Sequence, residues 1–133
     1  MSGKDLYNLM ENGKTSLIFS PEIENQMVSD KIFTKFINIV EGGLKEFIYL
    51  NNIHKITHNF YFKKDWEIPD QKNLILSLDF KELPTAQEKI ELWNDITLFI
   101  QEKIIELIEI SPSEEKNKFE NLKYQFFIYV EPL

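Results

Sequence analysis

The stretch TAQEKIELWNDITLFIQEKIIELIEISP, residues 85–112, decides the fold. Thr85 and Glu88 stand three apart, the spacing of a capping box in which each side chain satisfies a backbone N–H of the other residue. Ser111-Pro112 closes the segment, because proline has no N–H and its ring clashes with a preceding helical turn. The spacing predicts one helix from about Thr85 to Ile110. Ala86, Ile90, Trp93, Ile100, Ile104 and Leu107 then share a core-facing side. At about 100° per residue, Glu88, Glu91, Asp95, Glu102, Glu106 and Glu109 fall within a sector of about 60° elsewhere on the cylinder.

Downstream, Glu114 to Glu120 reads as a charged connector. Tyr124, Phe126, Ile128 and Val130 then alternate with Gln125, Phe127 and Tyr129, a strand apolar on both sides and expected inside the sheet. Upstream, Leu74, Leu76, Leu78 and Phe80 mark a half-buried strand that Pro84 ends. Phe47, Tyr49, the Asn51-Asn52 pair, Ile56, His58, Phe60 and Phe62 read as two strands around a two-residue hairpin turn. Residues 44–50 could instead extend the helix before them. That helix opens at Ser20-Pro21, with Ser as cap and Pro at the first position, and Gly42-Gly43 is expected to stop it. Ser16 to Phe19 suggests a short strand, and the Ser2–Asp5 cap spacing starts a first helix that Asn12-Gly13 ends. No repeat, low-complexity tract or linker divides the chain. Residues 1–133 are therefore expected to form a single α+β domain. Its architecture should be a two-layer sandwich: an antiparallel sheet of four to five strands with two main helices on one face.

At 133 residues and 43% apolar, the chain is long enough to bury a sizeable core. Its charge is −7, from 22 acids against 15 bases; every base is lysine and there is no cysteine. Those absences exclude a disulfide scaffold, thiolate metal ligands, a cysteine nucleophile and the two-pronged arginine clamp on phosphate or carboxylate. Met1 to Asn12 has no apolar run, so it does not read as a secretory signal. The most apolar window, Ile96 to Ile110, is broken by Gln101, Glu102, Lys103, Glu106 and Glu109, whereas a membrane helix needs about 20 mostly apolar residues. The expectation is a soluble, cytoplasmic protein with no membrane partner.

The acidic stripe of the long helix is the most specific chemical feature. Carboxylates at three- and four-residue steps repel each other. Glu106 and Glu109 also sit in the last turn, where the helix dipole favours cations. A face shaped by stability alone would carry lysine there, although most such faces are simply solvated. The acidity is regional: residues 1–64 hold eight lysines and seven acids, and residues 65–133 hold seven lysines and fifteen acids. Such a field speeds association with a cationic partner. A second candidate is the loop Lys64-Asp65-Trp66-Glu67-Ile68-Pro69-Asp70, where Trp66 stands among three acids. Tryptophan is enriched at binding hot spots, and it also serves to cap the end of a sheet. The expected partner-binding residues are Glu88, Glu91, Asp95, Glu102, Glu106, Glu109, Asp65, Trp66, Glu67 and Asp70.

Other chemistries lack their parts. His54 and His58 are four apart, but on a strand that spacing separates them by roughly 13 Å, so no metal site is expected. The four glycines, Gly3, Gly13, Gly42 and Gly43, form no phosphate-cradling loop or dinucleotide turn, and no Gly-x-Ser-x-Gly elbow occurs. No pair of carboxylates is singled out for acid–base work, so an enzyme and a cofactor are not expected. Tyr49, Phe60, Tyr61, Phe62, Tyr124, Phe126, Phe127 and Tyr129 could stack bases, yet a −7 chain repels a phosphate backbone and nucleic acid is not expected.

In size, in lack of catalytic machinery, in its acidic Glu88–Glu109 helix and in its Asp65–Asp70 loop, the chain resembles small immunity proteins. These protect bacteria from their own contact-dependent or secreted toxins. The resemblance implies a cytoplasmic, stoichiometric inhibitor whose acidic face docks on a basic, nuclease-type toxin domain. Two alternatives remain at this point: an adaptor that binds another protein without inhibiting it, and a small acidic hydrolase.

Overall fold

A computed structural model describes residues 15–53, 56–64, 67–68, 70–81 and 85–131. Thr85 caps the long helix as its spacing predicts, its hydroxyl accepting the Glu88 N–H at 3.2 Å, and the helix runs Ala86–Ile110 (α3). Around it the chain uses one plan twice. The strand β1 (Thr15–Phe19) is followed by helices α1 (Pro21–Ser29) and α2 (Lys31–Leu50) and by β2 (Ile56–Lys64). Then β3 (Lys72–Phe80) is followed by α3, by α4 (Ser113–Gln125) and by β4 (Phe126–Val130).

The strands lie in the order β1-β2-β3-β4. Only β2 and β3 are antiparallel, with Phe60 opposite Leu76; β1–β2 and β3–β4 are parallel. The expected antiparallel sheet of four to five strands with two main helices is thus corrected to a mixed sheet with four helices among the described residues; the α+β class stands. The reason is topological. A parallel pair needs a long crossover, and each helix pair provides one. β4 is an edge strand, not an inner one.

Further readings change. Ser20 caps α1, but the helix stops at Asp30, whose carboxylate accepts the Phe33 N–H at 3.0 Å and starts α2. α2 then passes through Gly42-Gly43 to Leu50, so residues 44–50 are helical. Gly43 faces α3, and a Cβ there would lie 3.4 Å from Ile100. The glycine lets the two long helices pack closely here, and packing outweighs its poor helix propensity. Asn52 takes the left-handed backbone (φ 54°), but it follows the helix end instead of making a hairpin. The supposed connector 114–120 belongs to α4, which buries Phe119 alone among its residues. The first-helix expectation, at residues 2–13, lies outside the described residues.

The core lies between the helices and one sheet face. Phe33, Phe36, Val40 and Leu44 of α2 and Ile96, Ile100 and Ile104 of α3 meet Phe60, Leu76, Leu78 and Ile128. Phe33 packs on Phe62 at 5.7 Å, and Phe36 meets Phe126 edge-on at 5.6 Å. The other sheet face carries Thr57, Asn59, Tyr61, Ile75, Ser77, Asp79, Phe127 and Tyr129, by the alternation of strand side chains. Ile75 is buried there beneath its cross-strand neighbours Tyr61 and Phe127.

Candidate functional site

Helix α3 holds its site residues by holding its opposite side in the core. Ile96, Ile100 and Ile104 are fully buried. Phe99 meets Phe47 of α2 at 5.6 Å, and the Trp93 indole N–H donates to the Ile128 carbonyl of β4 at 2.6 Å. This fixes the helix rotation, and with it which side chains face out. Two sequence assignments to the inner stripe fail: Ala86 and Ile90 are exposed, while Ile96, not assigned to it, is buried.

Glu88, Glu91, Asp95, Glu102, Glu106 and Glu109 are all exposed. The ion pairs formed on the described surface are Lys35–Glu115, Lys45–Glu41, Lys103–Glu46, Lys72–Glu22 and Lys81–Asp79, and they take none of the six. Glu91 accepts a hydrogen bond from Gln87 at 3.2 Å, which leaves its charge uncompensated. Exposed carboxylates at helical spacing keep their hydration, so the cost of holding them together is small and their field extends into solvent.

The second predicted group is not brought to the same place. Glu67 and Asp70 are exposed, while Asp65 and Trp66 lie outside the described residues. Asp70 borders a shallow groove with Glu22, Asn25, Phe62, Ile68 and Leu122; no α3 residue lines it. Asp70 and the helix stripe therefore do not share a groove.

Sequence reasoning missed the apolar members of the α3 face. Leu98 is 62% exposed and Ile105 41% exposed. They fall in one row with Glu91, Asp95, Glu102 and Glu109, in steps of four, three, four, three and four residues. The row is legible in the sequence, but choosing acids alone skipped its two apolar rungs. At its lower end, Ile105, Ile108 and Glu109 border a cleft of about 550 Å³ with Glu120, Lys123 and Tyr124 of α4. The Tyr124 ring is 87% exposed beside it.

Among the described residues His58 is the one buried polar side chain, 1% exposed, with Phe60 edge-on at 5.9 Å. Neither ring nitrogen has a hydrogen-bond partner. Burial, and then the nearby Lys45 charge, lowers its pKa from 6.5 to about 4, so it sits in the core as a neutral imidazole. His54 lies outside the described residues, and among those described no three His, Asp or Glu side chains gather as metal ligands. No described helix is long and apolar enough to cross a membrane.

No protein-family model, curated protein or solved structure matches this chain. Its surface chemistry carries the functional reading.

Proposed function

We propose that this chain is a non-enzymatic inhibitor that docks the acidic face of α3 on a cationic protein. The basic, nuclease-type toxin domain implied by the immunity-protein resemblance is the partner class that fits. One observation carries the reading: six exposed carboxylates share one side of α3, and the ion pairs Lys35–Glu115, Lys45–Glu41, Lys72–Glu22, Lys81–Asp79 and Lys103–Glu46 take none of them. A cationic cleft evolved to hold phosphates is complementary to such a face, and blocking it requires no catalysis by the inhibitor. A cytoplasmic site of action belongs to the same proposal.

The test is comparative capture from the native lysate at low and high salt, with wild type and the triple variant Glu102→Gln, Glu106→Gln, Glu109→Gln. The expected result is a basic protein held one-to-one by the wild type, lost in the variant and in high salt, whose activity falls on binding. Equal capture by both proteins overturns the proposal.

The adaptor reading has its own observation. Phe127 and Tyr129 stay partly exposed on the open sheet face, where an apolar partner could lie. Capture that survives both high salt and the triple variant favours it.

A further inference from the structure

Resting on the docking reading above, we infer that the partner's contact element is a basic amphipathic helix. It lies along the Glu91–Glu109 row of α3 and seats its apolar side chains on Leu98, on Ile105 and in the α3–α4 cleft.

The row's steps alternate between four and three residues, the spacing by which one helix offers a continuous seam to another. A face kept only for solubility has no use for Leu98 and Ile105 at such exposure within that seam. A docking face does, since interfaces place apolar contacts at the centre and charge at the rim. The cleft below Ile105 continues the apolar track onto α4, and its 550 Å³ lies within the range of sites that seat ligand-sized groups.

Charge selects the occupant. A second copy of this chain would set Asp95, Glu102 and Glu109 against their own equivalents. Nucleic acid and anionic lipid are repelled by the same carboxylates. Among the described residues Lys123 is the one cation lining the cleft, which Glu109 and Glu120 also line. A lysine- or arginine-flanked apolar ridge matches both parts of the surface, in the helix-in-groove mode.

The probe is an 18-residue peptide of leucine and lysine with leucines at three- and four-residue steps, beside a scrambled peptide of equal composition. Binding is followed by calorimetry at low salt. The amphipathic peptide is expected to bind one-to-one, and the scrambled one at least tenfold more weakly. The double variant Leu98→Ser, Ile105→Ser should lose tenfold or more for the amphipathic peptide while keeping its melting temperature. Tyr124→Ser, on the other wall of the cleft, should lose several-fold. Equal affinity for the two peptides overturns the helix inference and leaves the electrostatic docking intact. Unchanged affinity in the double variant, or no binding of the amphipathic peptide, also overturns it, whereas the docking proposal stands or falls on the triple variant's capture.

Discussion

Helices α2 and α3 lie side by side on the same sheet face, and their outer surfaces differ. α2 pairs four of its five charges within the molecule: Lys45 pairs with Glu41 one turn away, Lys35 reaches Glu115, and Glu46 reaches Lys103. α3 contributes only Lys103 to those pairs and leaves its six carboxylates to solvent. Their inner surfaces are alike, each a row of fully buried apolar side chains. Equal packing with unequal surface charge makes both helices part of the core and leaves α3 as the one whose outer surface the docking proposal uses.

The largest test of that contrast is truncation inside. Phe36→Ala in α2 and Ile100→Ala in α3 should each cost about 2–5 kcal/mol by urea unfolding, the range for emptying a core position. Leu98→Ser on the outer row should stay within about 0.5 kcal/mol of wild type. A Leu98 cost matching that of Ile100 would erase the distinction between the faces.

Next comes acid. His58 has a folded pKa of about 4 against 6.5 when unfolded, so between those values the unfolded chain binds the extra proton. The stability tied to keeping the ring neutral is complete above pH 6.5 and is lost as pH falls toward 4, on the order of 3 kcal/mol in all. Urea unfolding of wild type and His58→Leu across that window should diverge, with the wild type falling more steeply. Parallel curves would place no such penalty on His58.

Smaller effects separate the helices again. Gly42 has no atom within 4 Å of where a Cβ would stand, so Gly42→Ala should stabilise α2 by about 0.5–1 kcal/mol in thermal unfolding. Gly43→Ala should gain less, because its methyl would meet Ile100 at 3.4 Å. Smallest is charge reversal in the last turn of α3. Glu106→Lys and Glu109→Lys should each add about 0.3–1 kcal/mol at low salt through the helix dipole. The same changes should abolish capture of the basic partner. A face that gains stability by losing its carboxylates is one whose acids serve something other than folding.

Much of α3 was legible from residues 85–112 because its determinants are local: a cap, a period and a terminating proline. The helical run through Gly42-Gly43 was not, since what favours a small residue at Gly43 is the nearness of Ile100, more than fifty positions away. Parallel pairing was hidden for the same reason: alternation reveals a strand but not the direction of its neighbour. α4 escaped notice because a single buried ring, Phe119, commits it to the core. β4 looked like an inner strand because Phe127 and Tyr129 are apolar, yet both lie partly open on the far sheet face. Of the candidate site, the acids were readable one by one. Leu98 and Ile105 gained meaning only when the core fixed the rotation of α3.

The bond from Trp93 to the Ile128 carbonyl has a consequence for how these molecules behave in company. Bare strand margins invite other chains to add on, and stacks grow from such additions. Here an indole stoppers one of the carbonyls such an intruder would need, so concentrated solutions of the wild type should stay free of ribbons. Trp93→Phe keeps an aromatic ring but uncorks that margin, and thioflavin fluorescence on storage would register the difference.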